Sequence, residues 1–479
     1  MTTELIGYTD RLSVAPGESI RFMVSTDLPS YDTSLVRLIH GDENPAGPGF
    51  KEEQVESAID GTRAGRLQVA LAGSYVVIPD SDILGQLSSF TIQAWIWPTT
   101  PLSGQEQGLL SKWSADGAGI CLAIGKQGAL ELWFGDGETS KRVSTGREMR
   151  AREWIFVAAA FDNETGQLRL IQVPKSSWPS DGSAVSVNHV VQTRPNLHNG
   201  CPFLLAASNL EPTHSARFKA QGLFNGKIDS PRLFRRALES EEIERLQQGD
   251  SPAEVAGSDL AASWDLSLNP ASNHVTDIGP HMLHGATVNM PVRAATGHNW
   301  EATEVDYRHA PHQYGAIHFH EDDLEDAGWD PDFELAVPEG LRSGVYAARL
   351  KGDGQEDHIP FIVRSPRGSA QASILFLVPT FTYLAYANDR MDAAKELFAD
   401  LPPGEFCLDP RDLYLDERPE FAMSLYDRHT DDSGCCYSSS LRPIVNMRPK
   451  YRHVLTRGPR HFSADLYLID WLEQKDFSY

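Results

Sequence analysis

Two polar stretches near the carboxyl end of the sequence combine side chains that can bind ligands or move protons. The first, FLVPTFTYLAYAND (residues 376–389), begins as an apolar run. It then places hydroxyls, phenols and an amide within ten positions: Thr380, Thr382, Tyr383, Tyr386 and Asn388. In open α/β sheets, functional groups gather just beyond the carboxyl ends of the strands. We therefore expect a site where this apolar run ends.

The second stretch, residues 424–449, offers little to build a core and is rich in polar and aromatic side chains: Tyr426, Asp427, His429, Asp431, Asp432, Tyr437 and three serines. An irregular segment of this length inside an α/β domain is typically functional or disordered. Its aromatic residues argue against disorder. His429 is a candidate acid or base, with a structural role beside Asp431 as the alternative. Cys435 and Cys436 are weak nucleophile candidates, because no recognisable pattern positions a histidine beside them.

A third cluster, in YGAIHFHEDDLEDAGW, contains the pair His318 and His320, followed by three acidic residues. On a strand the two histidines share a face, and the acids could complete a metal shell. The alternative is a set of polar positions at a strand end, facing solvent or a neighbouring domain. No second histidine pair or cysteine supports the metal hypothesis.

The elements that must position the first two stretches have the pattern of an α/β domain. ASILFLV (residues 372–378) is typical of a parallel strand buried on both faces. MDAAKELFAD and SADLYLIDWLEQ predict helices. In the second helix Phe462, Leu466, Ile469 and Leu472 recur at helical spacing, and Ser463 is placed to cap it.

The preceding part of the chain predicts β-structure. Short alternating strands at regular spacing, with Gly-containing turns, indicate a jelly roll over residues 67–250, closed by a strand and a helix with Ser240 as N-cap. Alternating runs in residues 1–66 and 292–370 predict one immunoglobulin-like sandwich into which the jelly roll is inserted. We expect residues 251–291 to be a linker or extension, and residues 371–479 to be the N-terminal part of an α/β domain.

Composition limits the partners. The net charge is −24, and no basic stretch is dense enough to follow a phosphate backbone, which argues against nucleic acids and anionic membranes. The five cysteines are sparse, odd in number and without CxxC spacing, as expected in a reducing compartment. No apolar stretch approaches membrane-spanning length. We expect a cytoplasmic protein.

Several segments carry a resemblance to known families. FNGKIDSPRLFRRALESEEI resembles the closing signature of laminin-G-like, concanavalin-type jelly rolls. LVPTFTYLAYAN, LYDRHTDDSGCCYSSSLRP and RHFSADLYLIDWLE, together with the amino-terminal GYTDRLSVAPGE, resemble the N,N-dimethylformamidase large (beta) subunit family. That resemblance runs over essentially the whole chain. It implies an amidohydrolase with mononuclear ferric iron, a small partner subunit in a hetero-oligomer, and a catalytic domain like those of the glutamine amidotransferases. The implied substrate is a small N-substituted amide such as N,N-dimethylformamide, which yields formate and dimethylamine.

The resemblance also implies site residues. The family holds its iron with two tyrosines and a glutamate, and the tyrosines fall on Tyr386 and Tyr426. Tyr383 is the rival for the first position, and Thr382, one helical turn before Tyr386, takes the place of a site hydroxyl. The family's glutamate lies in a His-x-Glu segment that we expect beyond Tyr479, in a longer protein.

Two alternatives of other classes remain. The jelly roll could make this a carbohydrate- or protein-binding scaffold without catalysis, because a fold alone does not fix a function. Cys435 or Cys436 could serve a cysteine amidotransferase-like enzyme.

Overall fold

The computed structural model describes residues 4–176, 184–213, 217–370, 372–391, 400–402, 405–421 and 423–479. The chain divides into two compact units. One unit comprises Met1–Ala72 and Leu324–Tyr479, and the other comprises Gly73–Asp323. Both are built mainly from β-strands, which confirms the predicted mainly β fold class with a large jelly roll.

The strands are numbered in chain order. The first six belong to the discontinuous unit: β1 Leu5–Thr9, β2 Ser13–Val14, β3 Ser19–Thr26, β4 Ser30–His40, β5 Lys51–Val55 and β6 Gly61–Ala64. The next eighteen belong to the inserted unit: β7 Tyr75–Ile78, β8 Phe90–Pro98, β9 Gln107–Trp113, β10 Ala118–Ile124, β11 Ala129–Asp136, β12 Ser140–Glu148, β13 Ile155–Phe161, β14 Gln167–Pro174, β15 Val185–Val190, β16 Phe203–Leu205, β17 Asn209–Pro212, β18 Phe218–Gln221, β19 Gly226–Phe234, β20 Leu260–Asp265, β21 His274–Asp277, β22 Gly285–Val288, β23 Val292–Ala295 and β24 Ala316–Phe319. The last three return to the first unit: β25 Phe333–Ala336, β26 Gly344–Gly352 and β27 Gln355–Val363.

Six α-helices lie in the described residues: α1 Asp82–Gly85, α2 Ser240–Gln248, α3 Pro252–Ala256, α4 Thr380–Ala385, α5 Pro410–Asp416 and α6 Phe462–Gln474. Short 3₁₀ turns cover Gly257–Asp259, Pro311–Tyr314 and Pro419–Phe421. None of the helices in the described part of the chain has the length and apolar character needed to cross a membrane.

The inserted unit is a jelly roll of antiparallel strands. One layer runs in the order β12-β11-β10-β9-β16-β7-β22-β21, and the other runs β20-β19-β8-β13-β14-β15. Strand alternation builds the core: Phe90, Ile92, Ala94 and Ile96 of β8 all lie in the apolar cluster enclosed by the two layers. Trp95, on the opposite face of β8, packs instead in a smaller cluster with α2 and α3. One face of β8 thus fills the core and the other supports the outer helices.

The discontinuous unit contains two sheets, β1-β3-β25 and β2-β27-β26-β4-β5, with β6 added to β4. Strand β4 pairs with β26 in antiparallel register, for example Val36 with Ala347, although the two strands are more than three hundred residues apart. The outer face of this second sheet packs against α6 through Val36, Leu466 and Ile469. Gly41, just after β4, lies so close to α6 that a Cβ there would meet the Ser463 carbonyl oxygen at 2.6 Å.

The compact units differ from two of the boundaries that we predicted. Residues 251–291, expected as a linker, contain β20 to β22, which pair with β19 and β7 in the jelly roll. Strands β23 and β24, expected in the second sandwich, also join the jelly roll, where β24 pairs with β19. The edge strands of a sheet have unpaired N–H and C=O groups. Strands β20 to β24 form hydrogen bonds with such groups in the jelly roll.

The apolar run of residues 372–378 is not assigned as a strand. Leu375 and Leu377 are 87% and 82% exposed, whereas Phe376 and Val378 pack on the cluster under α6. An extended segment becomes a strand only when a neighbour supplies hydrogen-bond partners, and no described strand pairs with this one. The predicted helix in MDAAKELFAD lies almost entirely outside the described residues. The α/β class of residues 371–479 therefore stays a prediction.

Both predicted helix caps were wrong by one or two positions. Helix α2 has Glu239 as N-cap, in a capping box with Glu242, and Ser240 is its first helical residue. Helix α6 has His461 at its N-cap. Ser463 is fully buried and donates a hydrogen bond to the Arg448 carbonyl oxygen at 2.9 Å, so a long-range partner replaces the local cap.

Candidate functional site

Tyr386 is positioned by the end of helix α4. Its N–H donates to the Thr382 carbonyl oxygen at 3.2 Å, and two residues later Asn388 adopts a left-handed conformation with φ of 59°. Asparagine tolerates this region better than most residues. The turn brings the chain from α4 back towards residues 424–449.

The buried side chain of Asn388 joins the two polar stretches. Its amide nitrogen donates to the Pro443 carbonyl oxygen at 2.8 Å, and its amide oxygen accepts from the Val445 N–H at 2.9 Å. The Asn446 side chain adds two hydrogen bonds. Its amide oxygen accepts from the Asn388 N–H, and its amide nitrogen donates to the Tyr386 carbonyl oxygen at 2.6 Å. Buried backbone groups need such partners where no regular ladder supplies them. The loop around Tyr386 is therefore held by two asparagines.

Arg442 makes a second link between the stretches. Its side chain is fully buried and donates to the carbonyl oxygens of Phe421, Met423 and Ala387, at 2.5, 3.1 and 3.3 Å. Burial lowers the pKa of Arg442 to about 10. None of the described carboxylates lies within ion-pair distance of this guanidinium. Backbone carbonyls replace the missing counter-ion.

These contacts bring Tyr386 and Tyr426 together. Their rings stack with centroids 4.3 Å apart and planes 18° from parallel, although forty residues separate them in sequence. The neighbouring Tyr426 hydroxyl raises the pKa of Tyr386, and burial adds to this effect. Tyr426 remains 66% exposed, so the pair is open to solvent on one side. The arrangement offers two adjacent phenolic oxygens to a ligand.

Arg460 and His461 complete the surroundings of Tyr386. The Arg460 guanidinium lies 4.8 Å from the Tyr386 ring centroid and donates to Asp389 Oδ2 at 2.6 Å. The His461 ring stacks on Tyr386 with centroids 4.7 Å apart. Burial and the charge of Arg460 lower the pKa of His461 to about 4, so the imidazole is neutral at pH 7. Tyr386 is thus held between the Tyr426 and His461 rings, with a cation close by.

Tyr383, the rival position, belongs to a different environment. Its ring is buried against Phe462, and its hydroxyl donates to the Asp465 carboxylate on α6. Burial raises the pKa of Tyr383, and Asp465 raises it further. A phenol of this kind serves packing and does not stand beside Tyr426.

The structure does not gather all the predicted residues around this pair. Thr382 is exposed on α4, and its hydroxyl makes no hydrogen bond to the described residues. His429 is buried, and its backbone closes a turn with Ser433 and Asp432. Cys435 is half-buried and Cys436 is exposed on the same segment.

The His318 and His320 rings lie 4.1 Å apart at the end of β24. Both are buried, which differs from the solvent-facing alternative. His320 Nδ1 lies 3.3 Å from Asp323 Oδ2, and the Ser74 hydroxyl donates to the same carboxylate oxygen at 2.6 Å. A metal at these residues stays a prediction.

Sequence reasoning missed Arg442, Arg460 and His461 as parts of the tyrosine site. Each acts on a residue that lies at least nineteen positions away along the chain, and none belongs to a local motif. The available signals were the family-like segments LYDRHTDDSGCCYSSSLRP, which includes Arg442, and RHFSADLYLIDWLE, which includes Arg460 and His461.

Comparison with known proteins gives two family matches. Residues 71–244 match the concanavalin A-like lectin/glucanases superfamily, and residues 292–479 match the family described as N,N-dimethylformamidase beta subunit-like, C-terminal. The N,N-dimethylformamidase beta subunit of Paracoccus aminophilus is 41% identical over the whole chain, and that of an Alcaligenes species is 37% identical over 99% of it. The chain spans 64% of the length of each of these relatives.

Solved structures share only a distant likeness with the chain. A carbohydrate binding protein from Bacteroides ovatus, described there as putative, has 13% identity and a TM-score of 0.33, over 60% of this chain and 91% of its own. A carbohydrate-binding module of the Ruminococcus gnavus IT-sialidase has 17% identity and a TM-score of 0.29, over 37% of this chain and 94% of its own. Likeness at this level carries no argument about ligands.

Proposed function

We propose that this chain is part of the large subunit of an iron-dependent amidase, because residues 292–479 match the N,N-dimethylformamidase beta subunit-like, C-terminal family and the whole chain is similar to such beta subunits. Its substrate is a small N-substituted amide such as N,N-dimethylformamide, cleaved to formate and dimethylamine. Tyr386 and Tyr426 are the proposed iron ligands from this chain. The protein works in the cytoplasm with a small partner subunit.

The observation that carries this proposal is the contact between the Tyr386 and Tyr426 rings. The pairing was expected from the family resemblance alone, and the structure builds it from two irregular segments. A tyrosine serving only to pack is buried with its hydroxyl bonded to backbone, water or a neighbour, as Tyr383 is. Tyr386 and Tyr426 instead stack on each other beside solvent, and neither hydroxyl makes a hydrogen bond to the described residues.

The donor set suits ferric iron. Phenolate oxygen is a hard, anionic ligand, and a bound cation must lower the tyrosine pKa well below ~10 to hold it in that form. The stacked rings already hold the two phenol side chains side by side. Bound ferric iron would supply Lewis-acid polarisation of the amide carbonyl, whose resonance makes it a poor electrophile.

The chain's own side chains have separate proposed roles. His461, stacked on the Tyr386 ring, and Arg460, whose guanidinium lies over it, orient that ring. Arg442 and Asn388 fix the loops that carry the two tyrosines. Thr382 is the proposed site hydroxyl, and His429 is the proposed acid or base.

Substitution of the two phenols tests the assignment in the complete protein co-expressed with its partner subunit. Tyr386→Phe and Tyr426→Phe each remove one oxygen and change little volume, so folding should survive. We expect iron content, measured by elemental analysis, to fall together with the phenolate-to-iron absorption band and the amidase activity.

Two matched controls share the chemistry of the substitution. Tyr467→Phe removes a half-exposed phenol that donates to Asp42 at 2.8 Å, and Tyr383→Phe removes the rival. Both should retain iron and colour. Full iron occupancy in a Tyr386→Phe, Tyr426→Phe double variant would rule out this site.

A further inference from the structure

A cavity on the outer face of the jelly roll has the features of a separate ligand site. It has a volume of about 490 Å³ and is lined by Trp95, Lys175, Ser230, Arg232, Gln247, Gln248, Gly249, His298 and Asn299. That volume suits a small molecule and not a polymer chain. All of these residues lie within the inserted unit, and none takes part in the tyrosine site.

A β-bulge in strand β19 directs the key side chains to this face. Asp229 lies opposite Trp95, and Arg232 lies opposite Gln93. Between these two pairs β19 advances by three residues while β8 advances by two, so β19 contains one extra residue. The extra residue at Ser230, with φ of 50°, shifts the alternation. Trp95 and Gln93 share the outer face of β8, and the bulge places Asp229 and Arg232 beside them. Bulges often re-aim side chains in this way next to sites.

One wall of the cavity is rigid. The His298 ring lies flat on Trp95, with centroids 4.7 Å apart and planes 9° from parallel. Its Nδ1 is 2.6 Å from Asp229 Oδ2, and the buried Asp229 also accepts from the His298 N–H. Gly297 permits this approach, because a Cβ there would be 2.7 Å from the Asp229 carboxylate. Asp229 is thus fully engaged with His298.

Two polar groups in the cavity are not satisfied by the described residues. The half-buried Arg232 guanidinium makes no hydrogen bond or ion pair with them, and burial lowers its pKa while Asp229 opposes this shift. The Asn299 amide oxygen is buried without a hydrogen-bond partner, although its nitrogen donates to the His312 carbonyl oxygen. A half-buried cation and a buried acceptor are thus both left without protein partners, and a ligand that pairs with both supplies the missing hydrogen bonds.

The charges limit the ligand to a single negative charge. Arg232 and Lys175 are the cations on the wall, and Lys175 already donates to the His298 carbonyl oxygen. The carboxyl end of helix α2, at Gln247–Gly249, carries a partial negative charge that disfavours a dianion such as phosphate. The carbonyl groups of that helix end can instead accept from ligand hydroxyls.

We propose that this cavity binds a small hydroxylated carboxylate, with Arg232 pairing its carboxylate and Asn299 accepting a hydrogen bond from one of its hydroxyls. An acidic sugar and a simple hydroxy acid share this chemistry. The proposal concerns binding by the jelly roll and does not depend on iron or on amide hydrolysis.

Ligand-detected NMR titration of the complete protein tests this site. The probes are glucuronate, its neutral counterpart glucose, and lactate as a simple hydroxy acid. We expect saturable binding of glucuronate or lactate and at least tenfold weaker binding of glucose. Competition between glucuronate and lactate shows which of the two carboxylates binds more tightly. Arg232→Gln should weaken carboxylate binding by about tenfold or more, because a hydrogen bond to a charged group is lost.

Arg235→Gln is the matched control, since Arg235 is exposed just beyond the end of β19 and bonded to the Ser258 carbonyl oxygen, outside the cavity. It should bind as the unmodified protein does. If Arg232→Gln fails to fold, Asn299→Leu replaces it, with weaker binding again expected. Absence of binding by both carboxylates, equal binding of glucose, or unchanged affinity in the cavity variants would each overturn the proposal.

Discussion

The tyrosine site and the jelly-roll cavity place functional side chains by different means. Trp95 and Arg232 of the cavity stand on paired strands, where register decides the face and a single bulge redirects Arg232. The tyrosines stand on irregular segments, where buried Asn388 and Arg442 satisfy backbone groups that no ladder pairs. A regular sheet tolerates the loss of one polar contact, because its core and ladder remain. A loop framework built from a few polar side chains does not.

The largest expected effect is at Arg442. Arg442→Leu keeps an apolar body but leaves several buried carbonyl oxygens without donors, at about 1–3 kcal/mol each before relaxation. We expect a loss of about 3–5 kcal/mol in the free energy of unfolding. Urea unfolding measures it. Arg428→Leu is the control, because Arg428 is exposed in the same segment and should change stability by less than about 1 kcal/mol. Equal losses of stability in Arg442→Leu and Arg428→Leu would contradict the proposed difference between the two regions.

Asn388 tests the same framework at a smaller scale. Asn388→Ala removes three side-chain hydrogen bonds and places alanine at positive φ, for an expected loss of about 2–4 kcal/mol. Asn388→Gly loses the same bonds without the conformational strain. Thermal unfolding of the two variants should therefore rank glycine above alanine. The reverse order would mean that φ does not matter at this turn.

Trp264 provides the corresponding test in the jelly roll. Its buried indole nitrogen donates to the Leu283 carbonyl oxygen at 2.7 Å, and its ring stacks on Phe203. Trp264→Phe keeps an aromatic ring in the core and loses one hydrogen bond. We expect about 1–2 kcal/mol of destabilisation by urea titration, less than for either framework variant. A larger loss than at Arg442 would contradict the comparison.

The smallest effect concerns pH and Asp412 on α5. Burial raises the pKa of Asp412 to about 6, although Tyr451 donates to the carboxylate at 2.8 Å and opposes the shift. Because the folded pKa is raised, the stability contributed by protonation is complete below the unfolded pKa near 4. It is lost as the pH rises through about 6. We expect stability to increase by about 1 kcal/mol from pH 7 to pH 5 relative to Asp412→Asn. Parallel pH profiles of the two proteins would refute this.

The sequence determined the elements whose signal is local. Alternation of apolar residues predicted short strands over residues 67–250, where β10 pairs with β11 and β13 with β14 in the jelly roll. It also predicted the buried face of α6, where Phe462, Leu466, Ile469 and Leu472 are all buried. Side-chain direction within a strand or helix repeats at a fixed period, so it is readable from one segment. The family was recognisable for a similar reason, because its motifs are contiguous.

Only the tertiary structure decided what depends on distant partners. Tyr386 is the preferred candidate in sequence and Tyr383 its rival, and their environments differ because Tyr383 meets Asp465 and Tyr386 meets Tyr426. Residues 372–378 have the composition of a buried strand but no described partner, since pairing needs a second segment. The cap of α6 moved because Ser463 is buried and bonded to the distant Arg448 carbonyl oxygen, whereas the cap of α2 moved by one residue to a local capping box. Long-range hydrogen bonds and packing set these choices, and no single segment encodes them.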